Sequence, residues 1–299
     1  KDLSTAGGSR DRSDAIAREV FEREPPLNVP YEFLNIGGKK MSTSKGRGAA
    51  AHTIAEVVPP EQLRFLFLRH RPNHAIDFDP DGTDQIPRLF DEFDKFAAAT
   101  AGREVKGELA PGFEATFQYS LLNPAADVKA EAAAFRVAFD RVAMFIDGSR
   151  RVDPRARAAA ENGAPLSERE LAILEERLRA AERWLETYAP PGRWPGVQPT
   201  LPAAASDLSD DQRRFLGILA DKAEAGRPTT GDGWQTLVFE AATETAIAPK
   251  RVAFEAIYRA FGGVPNGPRA GWILADEPFE SVVSRLREAV AAAPVGGAA

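Results

Sequence analysis

The segment Tyr31-Glu32-Phe33-Leu34-Asn35-Ile36-Gly37-Gly38-Lys39-Lys40-Met41-Ser42-Thr43-Ser44-Lys45-Gly46-Arg47-Gly48 joins two kinds of sequence. Its first six residues read as a short buried strand. The remainder holds a single apolar residue, Met41, among cations, hydroxyls and glycines. Lys39, Lys40, Lys45 and Arg47 concentrate positive charge, while Ser42, Thr43 and Ser44 offer hydroxyl and main-chain donors to anionic oxygens. Glycines at both ends permit conformations that a Cβ disfavours, so the loop can change shape around a ligand. Pro59-Pro60 then opens a helical stretch. A basic loop between strand and helix is a place where an α/β enzyme handles polyphosphate. On pattern alone, a solvated basic turn accounts for it equally well.

A chain of 299 residues allows about two domains. Its hydrophobic content of 43% is that of a globular protein with real cores. There is no cysteine, and His52, His70 and His74 are not spaced as a ligand set, so neither a disulfide nor a protein-bound metal is expected. No apolar run reaches the roughly 18 residues of a spanning helix, and no charged-then-apolar leader opens the chain. The expectation is a soluble cytoplasmic protein without a membrane partner. A net charge of −6 argues against indiscriminate nucleic-acid binding, but a local basic surface suffices to dock a folded RNA.

In chain order, Lys1-Asp2-Leu3 reads as the end of a strand. Gly7-Gly8-Ser9 leads into a helix with Ile16, Val20 and Phe21 on one face, Ser9 being a candidate N-cap. A helix over Glu61 to Arg71 places Leu63, Leu66 and Phe67 on one side and Arg64, Leu68 and Arg71 on another. Arg64, Arg69, His70 and Arg71 form a basic cluster suited to RNA phosphates, or else a solvated face. Ile86, Leu89, Phe90 and Phe93 follow helical spacing. Alternation over Phe113 to Leu121 allows a short strand. Glu131 to Asp147 reads as one helix with Phe135, Phe139, Val142 and Ile146 inward, ended by Gly148.

Ser167-Glu168-Arg169-Glu170 is a capping box ahead of a stripe of Leu171, Leu174, Leu178, Ala181, Leu185 and Tyr188. Prolines and glycines then interrupt regular structure over residues 189–207. Ser209 with Gln212 is a second capping box, and Asp232 is a candidate cap for a helix carrying Trp234, Leu237 and Val238. Pro249 and Pro278 stand at the starts of two further helices, Gly262-Gly263 at an end, and the tail from Pro294 should be loose. Lys250-Arg251 and the run Gly267-Pro268-Arg269-Ala270-Gly271-Trp272 are candidate RNA-facing features, with Trp272 expected to pack inward.

Lys40-Met41-Ser42-Thr43-Ser44 resembles the KMSKS signature of class I aminoacyl-tRNA synthetases. The wider likeness is to the class I lysyl-tRNA synthetases, carried by Glu24-Pro25-Pro26, Pro30-Tyr31-Glu32, Ile76-Asp77-Phe78-Asp79-Pro80 and Gly267-Pro268-Arg269-Ala270-Gly271. Thr43 stands where many class I members have a second lysine, a charge that Lys45 would replace. The His-x-Gly-His-like turn of the class has no counterpart, so the chain is expected to start partway through the catalytic domain and to be inactive alone.

The resemblance implies a mainly α fold. A C-terminal remnant of a Rossmann-type α/β catalytic domain (residues 1–82) would precede an α-helical anticodon-binding region (83–205 and 206–299). It implies a lysine–tRNA ligase that uses ATP with Mg²⁺ as substrate, L-lysine and tRNA(Lys), with a monomer favoured. Lys40 and Lys45 would be catalytic. Asp2, Gly7, Gly8, Lys40, Met41, Ser42, Thr43, Ser44 and Lys45 would bind ATP, and Arg64, Arg69, Arg71, Lys250, Arg251 and Arg269 would bind tRNA. The alternative is a non-catalytic tRNA-binding fragment or paralogue, and glutamyl or cysteinyl specificity on a related scaffold is a third reading.

Overall fold

The computed structural model describes residues 7–40, 51–147, 153–191 and 193–292. Expectations for Asp2, Met41, Ser42, Thr43, Ser44, Lys45, Gly148 and the tail lie outside the described residues, as does the side chain of Lys40. The chain is mainly α, as its periodicity predicts. It divides into one unit of Lys1–Arg136 with Glu186–Tyr188 and another of Val137–Leu185 with Ala189–Ala299.

The first unit opens with α1 (Ser9–Glu19). Gly8, not Ser9, holds the N-cap position, and Ser9 lies within the helix. The expected apolar face is turned outward: Ile16, Val20 and Phe21 are all exposed and α1 buries no residue. A small sheet follows from β1 (Leu34–Ile36), β2 (Lys39–Lys40) and, after two intervening helices, β3 (Ile76–Asp77). β1 is central, antiparallel to β2 and parallel to β3, with Asn35 opposite both Lys40 and Asp77. The strand read from Tyr31 onward is therefore shorter, and Tyr31 itself is exposed.

Between β2 and β3 lie α2 (Ala51–Ala55) and α3 (Pro60–Leu68), and α4 (Gln85–Thr100), α5 (Phe113–Ser120) and α6 (Val128–Ala133) complete the unit. The spacing of Ile86, Leu89, Phe90 and Phe93 correctly identifies the buried face of α4. On α3 the inward residues are Gln62, Phe65 and Leu66, while Phe67 and Leu68 are exposed. Phe65 meets Phe93 and Phe96 edge-on at ring separations of 5.4 and 4.9 Å, and Phe93 lies 5.2 Å from Phe117. This aromatic cluster explains why Phe113 to Leu121 is a helix and not a strand. Phe113, Phe117 and Ser120 fall at helical spacing toward α3 and α4, leaving Tyr119 outward.

The single helix expected over Glu131 to Asp147 is broken between α6 and α7 (Phe139–Asp147). Arginines satisfy the carbonyls that the break leaves unpaired: Arg136 donates to Glu131 O and Ala134 O, Arg103 to Ala132 O, and Arg177 to Val137 O at 2.6 Å. Arg136 also lies over the rings of Phe93 and Phe117.

The second unit contains α7, α8 (Pro154–Asn162), most of α9 (Glu168–Thr187) and α10 (Asp210–Gly226), with a 3-10 turn at Ala203–Asp207. It continues through α11 (Gly231–Glu244), α12 (Arg251–Gly262), α13 (Ala270–Asp276) and α14 (Phe279–Ala291). Both capping boxes form. Thr230 rather than Asp232 caps α11, its hydroxyl accepting from Gly233 N–H. On α9 the buried face is rotated from the leucine stripe to Ile173, Leu174, Arg177, Ala180, Ala181 and Trp184, because Trp184 packs edge-on against Phe139.

The run Gly267 to Gly271 is a packing device. A Cβ on Gly267 would stand 2.7 Å from the Trp194 ring and 3.0 Å from that of Tyr258. The Tyr258 hydroxyl donates to Pro268 O at 2.8 Å, and burial pushes its pKa up to about 12. Ala270 is fully buried, and Gly271 N–H donates to Gln235 Oε1 while its bare Cα faces Gly231 O. Gly271 thus brings α13 into backbone contact with α11, and Gly267 makes room for Trp194 beside Tyr258. Gly271→Ala would place a methyl inside contact distance of Gly231 O and 2.9 Å from Gln235 N. The expected cost is about 1–3 kcal/mol, read as a lower urea midpoint at unchanged slope.

Candidate functional site

The basic loop is reached through a two-residue hairpin. Ile36 and Lys39 pair across Gly37 and Gly38, whose φ values of +56° and +73° suit the primed turn that matches strand twist. Only glycine takes two such positions in succession without strain. The turn lies at the carboxyl ends of the parallel strands β1 and β3, the side on which open α/β sheets bind ligands.

Two carboxylates from the Ile76-to-Pro80 segment meet this turn. Gly38 N–H donates to Asp77 Oδ1 and Oδ2, each at 3.0 Å. A Cβ on Gly37 would come within 3.0 Å of Asp79 Oδ2. Asp79 is itself held: its N–H donates to Gln85 Oε1 at 3.0 Å, and its carbonyl accepts from the Thr83 hydroxyl at 2.5 Å. The residue pattern alone assigns no role to Asp77 or Asp79. Its available signal is an acidic pair at alternate positions, remote in sequence from a Gly-Gly turn followed by two lysines.

Gly7 takes φ +71°, and its N–H donates to Asp11 Oδ2 at 2.7 Å, while Gly8 is extended. The turn is thus tied to its own helix.

The predicted basic cluster separates into different environments. Arg64 is exposed and donates to Tyr119 O at 2.8 Å, and Arg71 is exposed. Arg69 is directed inward, paired with Glu92 and 5.8 Å over the Phe65 ring, with burial lowering its pKa. His70 is also shifted down from its ordinary 6.5, by burial first and then by Arg69 and His74.

In the second unit Lys250 and Arg251 are exposed at the start of α12, with Lys250 Nζ 5.5 Å from the centre of the Phe239 ring. Arg269 lies over Trp272 and pairs with Asp232 at 2.6 Å, still 40% exposed. Trp272 is half-buried. Among the described residues no group of three His, Asp or Glu is placed to hold a metal ion, and no helix is long and apolar enough to cross a membrane.

Residues 1–118 match the family described as tRNA synthetases class I (K). The chain is 30% identical to lysine–tRNA ligase 1 of Methanosarcina acetivorans, over 97% of this chain and 55% of the relative. It is 32% identical to the lysine–tRNA ligase of Thermoplasma acidophilum over 97% of this chain and 54% of the relative. The Archaeoglobus fulgidus lysine–tRNA ligase is 29% identical over the same shares. These matches define a class I tRNA synthetase sequence. Within that class they support a C-terminal portion of a lysyl-tRNA synthetase. It spans about half the length of the curated relatives it matches.

The environments of Arg69 and His70 have measurable consequences. Arg69→Ala removes an ion pair and the stem packed over Phe65, lowering stability by on the order of 1 kcal/mol, whereas Arg71→Ala leaves the thermal midpoint unchanged. The depressed His70 pKa means that the unfolded chain takes up the proton first as pH falls. Stability is therefore full above the ordinary value of 6.5 and declines as pH drops through the lower folded value. Between about pH 7.5 and about pH 5.5, His70→Asn should lose less of its thermal midpoint than the parent.

Proposed function

We propose that this chain supplies part of a lysine–tRNA ligase: the loop that handles the polyphosphate of ATP, and surfaces that hold tRNA(Lys). The observation that carries the reading is similarity to lysine–tRNA ligases over 97% of the chain, with the Gly37–Gly38 turn that leads into Lys39 and Lys40 at the carboxyl end of a parallel strand pair. In this reaction the lysine carboxylate attacks the α-phosphorus of ATP, pyrophosphate leaves, and the acyl group passes to the terminal ribose of the tRNA. No protein nucleophile is needed. The protein contributes in-line geometry and cations positioned against the charge that develops on the departing diphosphate. Lys40 and Lys45 take that role, and Ser42, Thr43 and Ser44 hydrogen-bond phosphate oxygens. Asp2, Gly7 and Gly8 border the nucleotide. Mg²⁺ enters with ATP as part of the substrate.

On the RNA side, Arg64, Arg71, Lys250 and Arg251 are the outward cations, available to phosphates. Arg269 reaches RNA from its stacked position on Trp272 only by exchanging Asp232 for a phosphate or a base. Arg69 supports the helix from which Arg64 projects.

The reading is tested in a complete synthetase containing this chain. Lys40→Ala should lower lysine-dependent pyrophosphate exchange by ~10²-fold or more, and an unchanged rate would remove the loop from the mechanism. In gel shifts with tRNA(Lys), Arg64→Ala combined with Arg71→Ala should weaken binding and flatten its salt dependence, by about one unit of slope for each phosphate no longer neutralised.

A further inference from the structure

We propose that Asp77 is a positioning residue for the reaction: its carboxylate latches the Gly37–Gly38 turn and so holds the hairpin whose second strand is Lys39–Lys40. The proposal rests on the reading of the run that begins at Lys40 as the polyphosphate loop, and adds a residue outside that run.

Asp77 closes β3 directly opposite Asn35, and the chain that leaves β1 one residue later turns back beneath it. Gly38 N–H meets both carboxylate oxygens at the same 3.0 Å, a charge-assisted bond across 39 positions of sequence. A two-stranded hairpin of two residues a side is not stable by itself in water, so its register needs an outside tether. Main-chain bonds on either side of Asp77 make β3 a firm support: Ile76 N–H donates to Phe33 O and Phe78 N–H to Asn35 O, both at 3.0 Å. Phe78 is 5% exposed, which seats the support in the core of the unit. Asp79 fills the space left by the missing Cβ of Gly37, so the turn is bounded on that side as well.

The contact that the structure gives Asp77 is with the backbone of Gly38, so the role assigned to it is to hold the turn.

Hydrogen exchange followed by mass spectrometry on this chain tests the latch. In Asp77→Ala the peptide containing Gly38 should exchange ~10-fold faster or more, with the thermal midpoint of the unit unchanged, since Asp77 is exposed. Asp77→Asn keeps an acceptor oxygen and should restore most of the protection. In a complete synthetase Asp77→Ala should lower kcat for pyrophosphate exchange ~10-fold with the KM for lysine unmoved, and Asp77→Asn should recover it. Unchanged exchange at Gly38 in Asp77→Ala overturns the latch. Faster exchange at Gly38 with normal kcat, or an Asn variant as defective as Ala, overturns the positioning role. Lys40→Ala distinguishes the two levels: if it is defective while Asp77→Ala is normal, only the role of Asp77 fails. If Lys40→Ala is itself normal, the reading of the loop fails and the role of Asp77 falls with it.

Discussion

The chain reverses direction between Ile36 and Lys39 in two residues, both at positive φ, and that turn organises the small sheet of the first unit. Any side chain at Gly37 would be strained by its dihedral and crowded by Asp79. Because the reversal is so short, β2 must lie antiparallel on one edge of β1, which leaves the other edge to β3. The parallel partner can only return after a long crossover, and α2 and α3 supply it. The strand order of the sheet follows from that one turn. Hydrophobic burial then fixes the helices around it through the four phenylalanines of α3, α4 and α5.

The second unit meets its constraint differently. Its helices approach through glycine: Gly231 and Gly271 let α11 and α13 touch backbone to backbone, and Gly262 and Gly267 leave room for Trp194. Close approach of main chains has to be matched by satisfied donors, and Gln235 provides the acceptor for Gly271 N–H between them. A second polar join is made by Arg141, only 3% exposed, which donates to Glu161 Oε1 at 2.7 Å and to Asp276 Oδ1 at 2.8 Å while lying over the rings of Phe145 and Trp272. A buried guanidinium is costly to leave unpaired, so this arrangement specifies how α7, α8 and α13 come together more than it stabilises them.

What can be read from the sequence divides along the same physical lines. The face of α4 is legible because Ile86, Leu89, Phe90 and Phe93 keep helical period with no competing pattern. The two capping boxes are legible because the interaction is local. Phe113 to Leu121 misleads because alternation and helical spacing coexist there, and only the position of Phe93 against Phe117 decides between them. The break after α6 is hidden since the apolar period continues across it, and the arginines that stabilise it come from separate places in the chain. The leucines of α9 mark the helix but not its rotation, which Trp184 against Phe139 sets. Asp77 stands in a recognisable motif, but its role is not marked there: its partner lies 39 residues away and is a main-chain N–H, which composition does not mark.

Among the charged side chains, availability to a ligand depends less on number than on what already neutralises each one. A guanidinium paired with a carboxylate presents little net field outward, and must give up that pair before it can hold a phosphate. Arg69 with Glu92 and Arg269 with Asp232 are in this condition. Arg64 differs, for its donation to Tyr119 O orients the group without cancelling its charge, and the guanidinium keeps further donors for an anion. An oriented but uncompensated cation on a rigid helix loses less freedom on binding than a mobile one. Arg64 is thus held by a neutral group where Arg69 is held by a carboxylate, although a count of positive charges along the sequence ranks them alike.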